Sequence, residues 1–122
     1  MPTQGEHLKQ AEHNETLYAY LDSMSPTYTD WQVTCLFYAA LHYVDAYLDT
    51  QGIPRPKGHP IRNSRVLQHL SGIYDDYYEL YERSRDARYD LIGFSAEDVA
   101  NLRAQRFARI RTHIRTSLGL PL

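Results

Sequence analysis

His42 and Asp45 stand three residues apart inside the apolar run from Val33 to Leu48, so on a helix they share one face. A buried charge costs several kcal/mol unless it is paired, so this face predicts a polar partner from another element. The segment from residue 59 to about 91 offers several. Tyr74, Tyr78, Tyr81, Arg85 and Arg88 recur at spacings of 4, 3, 4 and 3, one helical stripe that begins in rings and ends in guanidiniums. Tyr89 and Asp90 extend the polar end of that stripe, and His59 and Arg62 open the segment. An arginine set among tyrosines stacks on their rings and still presents a fork of donors, a combination that recognises phosphates and planar bases. The plainer alternative is a structural network, with Asp45 or Asp90 paired to an arginine and tyrosine hydroxyls tying helices together. Either way, His42 or Asp45 is expected within hydrogen-bonding reach of the His59–Arg62 or Arg85–Asp90 segments, because a buried polar group without a partner costs about 1–3 kcal/mol.

Other chemistries find less support. The six histidines, at 7, 13, 42, 59, 69 and 113, are scattered, and neither HExxH nor CxxC occurs. His42-x-x-Asp45 is the nearest echo of the Glu-x-x-His pattern of bundle metal sites. The spacing predicts no metal and no cofactor. No nucleophile elbow and no glycine-rich phosphate loop occurs. The lone cysteine, Cys35, forms no intrachain disulfide and reads as a small buried hydrophobe, which suits a reducing, cytoplasmic setting. The polar start, MPTQGEHLKQ, predicts no signal peptide, and the Val33–Leu48 run is short of the roughly 20 residues a membrane span needs.

These side chains must be positioned by helices. The chain has 122 residues, of which 43% are hydrophobic and 23% charged, the profile of one globular domain over residues 1–122 and not of a disordered chain. Six glycines and six prolines are too few for a β fold that turns every ten residues. Four helical stretches stand out. The first covers about residues 4–23, with Leu8, Ala11, Tyr18 and Leu21 on its stripe and Asn14 on or near it, and Ser23, Ser25 and Pro26 at its end. The second covers about Thr29–Gln51, with Thr29 or Asp30 as N-cap and Gly52 as stop. Its two stripes, Val33, Phe37, Ala40, Val44 and Tyr47 beside Trp31, Cys35, Tyr38, Leu41 and Leu48, predict the central and most buried helix. GIPRPKGHP must be a loop. The third stretch begins near His59 or Pro60 and breaks at Ser71-Gly72. The fourth opens with a capping box, Ser95 to Asp98, and buries Val99, Phe107, Ile110, Ile114 and Leu118. Such helices with short connections pack as an all-α, antiparallel bundle of four to five helices, which at this size dimerisation would help to stabilise.

Charge is unevenly spread. Residues 1–61 carry three cationic side chains against seven acidic ones, a net of −4, and residues 62–122 carry ten arginines against eight acids, a net of +2. Five arginines and no acid follow Asp98. A basic last helix meets phosphates or an acidic partner, or else is simply solvated, with cations favoured near its C-terminus by the helix dipole.

In LFYAALHYVDAYLDTQG, the loop with His59, and YYELYERSRDARYDLIGFSAEDVANLRAQRFARIRTHI, the chain resembles the HEPN superfamily (higher eukaryotes and prokaryotes nucleotide-binding) over about residues 31–118. The order is similar to HEPN domains associated with nucleotidyltransferases. The resemblance implies a helical, dimeric domain of toxin–antitoxin or defence systems. Many HEPN proteins are metal-independent ribonucleases whose Arg-x4–6-His motif opens the last core helix at a dimer cleft, arginines stabilising the phosphate and His moving the proton. The matching place here reads Arg85-Asp86-Ala87-Arg88-Tyr89-Asp90, with no His in range. Arg62 to His69 and Arg106 to His113 have the spacing in the wrong context. The expectation is therefore a nucleotide- or RNA-binding or partner-docking module, homodimeric, with Arg62, Tyr78, Tyr81 and Tyr89 binding ligand and a nucleotidyltransferase-type protein as partner. The alternatives are a ribonuclease that uses Arg85 and Arg88 with His59 or His42, and a purely structural bundle.

Overall fold

The computed structural model describes residues 2–24 and 27–122. All regular structure among them is helical, and none of these helices is long and apolar enough to cross a membrane. Helix α1 (Gln4–Asp22) starts on a capping box, in which Thr3 accepts from the Glu6 amide and Glu6 accepts from the Thr3 amide. It ends at Ser23; Ser25 and Pro26, also expected to end it, lie outside the described residues.

Helix α2 (Thr29–Thr50) follows, antiparallel to α1. The Gln4 amide donates to Asp49 at one end of the pair, and Gln32 donates to Asp22 at the other. The expected N-caps are corrected: Tyr28 holds that position without a side-chain hydrogen bond, and Thr29 and Asp30 already lie in the first turn, where the acid meets the positive end of the helix dipole. As expected, α2 is the most buried element. Val33, Phe37, Ala40 and Val44 are fully enclosed on one stripe, and Leu48, Leu41 and Cys35 are buried on the other. Trp31 departs from its stripe and stands 58% exposed, in the first turn of α2. Gly52 ends α2 with φ +71, a left-handed value open to glycine.

Helix α3 (His59–His69) carries Pro60 in its first turn. A 3₁₀ turn, Ser71–Ile73, then separates it from α4 (Tyr74–Tyr89), at the expected break. The Ser95–Asp98 capping box is present at the start of α5 (Ala96–Leu102), which runs through a π-helical stretch, Arg103–Phe107, into α6 (Ala108–Ser117). Val99, Phe107, Ile110 and Ile114 fill the core from this last rod. Its five arginines all find internal partners. Arg106 and Arg109 donate to Asp76 of α4, Arg111 donates to Glu15 of α1, Arg115 donates to the Tyr43 hydroxyl, and Arg103 lies over the Tyr18 ring. Of these contacts, Arg111–Glu15 joins the basic last rod to an acid of the first half.

Candidate functional site

Asp45 finds the partner its burial requires. Arg62 grips it with both arms of the fork, Nε to Oδ1 at 2.8 Å and Nη2 to Oδ2 at 3.0 Å, and the same Nη2 reaches the Pro56 carbonyl at 3.4 Å. Both side chains are enclosed, at 5% and 1% exposure. Arg62, expected to bind ligand, is instead buried inside, because Asp45 needs its charge. The pair sits one turn beyond His59 and ties the start of α3 to α2. Asp90, the other acid considered for such a pair, only caps α4.

His59 enters α3 from Gly58, whose φ of +98 turns the chain inward. Its ring packs between Phe37, centroid distance 5.6 Å, and Tyr81, centroid distance 5.4 Å. Its Nδ1 is buried and makes no hydrogen bond. Burial lowers the pKa of this imidazole first, and the positive charges of Arg62, Arg88 and Arg85 lower it further. His59 and Arg85, two of the expected site residues, thus meet the same ring, Tyr81, from two helices.

Along α4 the tyrosine stripe forms as spaced. Tyr74, Tyr78 and Tyr81 follow ring on ring at 5.7 Å per step. Arg85, exposed, lies 5.7 Å over Tyr81 and donates to its hydroxyl at 3.4 Å, a bond that raises the guanidinium pKa. Arg88 is held more firmly. It donates Nε to the Ser84 carbonyl, Nη2 to the Ser84 hydroxyl and Nη1 to the Tyr38 hydroxyl, the last at 2.8 Å. It also lies between the rings of Tyr38 and Tyr89, 5.4 and 4.9 Å from their centroids. Two of its five N–H donors remain free in a fixed plane. Neither Arg85 nor Arg88 forms an ion pair among the described residues. Tyr78 and Tyr89 stand open to solvent beside them.

His42 does not join this group. Its Nδ1 lies 3.1 Å from the Nδ1 of His7 on α1, and the two rings line a cavity of about 490 Å³ with Glu6, Lys9, Gln10 and His13. Sequence reasoning missed His7, which falls next to Leu8 on a stripe that reads as apolar. Burial and the neighbouring His7 push the pKa of His42 down to about 4, and burial lowers that of His7. Cys35 is buried as expected, and burial raises its thiol pKa. Another group missed by sequence reasoning is Asp76, buried under Arg106 and Arg109.

Comparison with protein-family models, with curated proteins and with solved structures gives no match for this chain.

Proposed function

We propose that the Arg85–Arg88 face of α4 binds the phosphates of a nucleotide or RNA, as a non-catalytic, HEPN-like module of a toxin–antitoxin or defence system. One observation carries the reading. Two guanidiniums share a tyrosine stripe, neither forms an ion pair among the described residues, and one is locked in place with donors to spare. Arg62, Arg106, Arg109 and Arg111 are each matched by an acid, while Arg103 and Arg115 meet tyrosines inside the fold. Arg85 and Arg88 hold phosphate oxygens, Tyr78 and Tyr89 offer faces to bases, and Tyr81 props Arg85 from below. In this reading the domain works as a homodimer beside a nucleotidyltransferase-type partner, the arrangement the resemblance implies.

A second reading is favoured by His59. An imidazole whose pKa is lowered, with two guanidiniums near enough to contribute to the lowering, is the set of groups a metal-independent ribonuclease uses, with His59 taking or giving the proton while the arginines stabilise the phosphorane. Both readings are tested on one purified protein. Single-stranded RNA should bind at low salt and weaken as salt rises. The double variant Arg85→Ala/Arg88→Ala should bind more weakly and lower the slope of log affinity against log salt by about 1.4, from roughly 0.7 per lost phosphate contact. Cleavage that persists in chelator and stops in His59→Ala would move the protein to the ribonuclease reading. Neither binding nor cleavage would leave α4 a structural element only.

A further inference from the structure

A groove between α1 and α2 runs away from the Arg88 corner. Its volume is about 340 Å³, and its walls include Trp31, Tyr38 and His42 on one side and Gln10, Asn14 and Leu17 on the other. Tyr38 belongs to both places: its hydroxyl accepts from Arg88, and its ring lines the groove. Trp31 stands two helical turns before Tyr38, about 10 Å along the axis, and is 58% exposed. Gln10 and Asn14 bond to each other at 3.3 Å and make no other side-chain hydrogen bond among the described residues, so a carboxamide oxygen and an N–H remain available along one wall.

Resting on the phosphate-binding reading of Arg85 and Arg88, we infer that this groove takes an unpaired base of a single-stranded RNA whose backbone lies on those arginines. The walls have the composition such a base requires. Flat rings provide stacking surfaces, and the carboxamides provide a donor and an acceptor for a base edge. Continuity through Tyr38 sets the direction: the phosphate lies at Arg88, and the strand runs toward Trp31. A base in a duplex does not reach such a groove, so single strands are bound and duplexes of the same sequence bind through phosphates alone.

Trp31 is the chain's single tryptophan, so its emission reports this groove and nothing else. The experiment titrates a mixed-sequence single-stranded RNA octamer into the full chain at low salt and records tryptophan emission together with binding by fluorescence anisotropy of a labelled octamer. The expected result is quenching of Trp31 on binding, and affinity about tenfold weaker in Trp31→Ala, the order of one lost stack, with Trp31→Phe close to the parent. Trp31 is a surface residue, and a thermal melt monitored by circular dichroism confirms that each variant folds. If the octamer binds through Arg85 and Arg88 while Trp31 emission and Trp31→Ala affinity stay unchanged, the groove inference is overturned and the phosphate reading stands. If no RNA binds, the phosphate reading falls first. If acrylamide fails to quench Trp31 in the free protein, a second copy covers the groove and the inference is wrong.

Discussion

The imidazoles of His7 and His42 meet Nδ1 to Nδ1 at 3.1 Å, so one donates the single hydrogen that the other accepts, and a proton on the accepting Nδ1 would break the bond. Asp45 and Asp49 favour charge on His7; Arg55, Arg62 and burial oppose it. The balance lowers both values, and His42 falls to about 4 from an ordinary value near 6.5. The unfolded chain therefore binds more protons than the folded one across that interval. The stabilising contribution is complete above about pH 6.5 and is lost as pH falls toward 4. The urea midpoint should decline over this window, and His42→Gln should flatten the decline; a variant that tracks the parent at every pH would reject the account. Asp45 gives a sharper test. Asp45→Asn leaves the Arg62 charge buried and uncompensated, so stability should drop by about 3–5 kcal/mol, read from chemical denaturation. The need for a partner at Asp45 is visible in the sequence, since an acid in a helix apolar on two stripes cannot be left alone. The partner of His42 is not visible, because nothing local marks which histidine of another helix stands opposite.

At the scale of elements, the punctuation marks carry most of the information. Gly52, Pro60, the Ser71-Gly72 break and the Ser95–Asp98 capping box act on the backbone within a few residues, and each does what its chemistry dictates. Thr3 and Glu6 have the same spacing and were equally readable. The π-helical stretch at Arg103–Phe107 has no such marker; its register follows from packing Phe107 inward beside Tyr43 while Arg106 and Arg109 both reach Asp76. Leu91 runs against the local rules. It follows the α4 cap with φ +54, a left-handed conformation that costs a branched side chain about 1–2 kcal/mol, and it is 87% exposed, so packing returns little. Leu91→Gly should remove that strain. After the entropy that glycine adds to the unfolded chain, the net gain should be about 0.5–1 kcal/mol, seen as a higher melting temperature. A lower one would show that the Leu91 side chain has a partner that repays the strain.

Around the end of α4 the whole molecule shows an exposed apolar corner beside the candidate site. Tyr89, Leu91 and Ile92 are exposed there, at 68%, 87% and 49%, and Arg85 and Arg88 lie immediately before them. A small domain gains stability by covering such a corner, and tyrosine and arginine are the residues that dominate interface energies. A two-fold axis through this corner would bring two copies of the Arg85–Arg88 face to one cleft and leave Trp31, at the far end of the groove, open to solvent. Sedimentation at micromolar concentration should therefore show a dimer. Tyr89→Ala together with Leu91→Lys should shift it toward monomer, because truncating the ring removes contact area and two lysines placed near the axis repel each other. The circular dichroism of each chain should stay helical. A parent protein that sediments as a monomer would reject the dimer and confine the phosphate contacts to one α4. A dimer untouched by the double variant would place the axis elsewhere on the surface, away from the arginines.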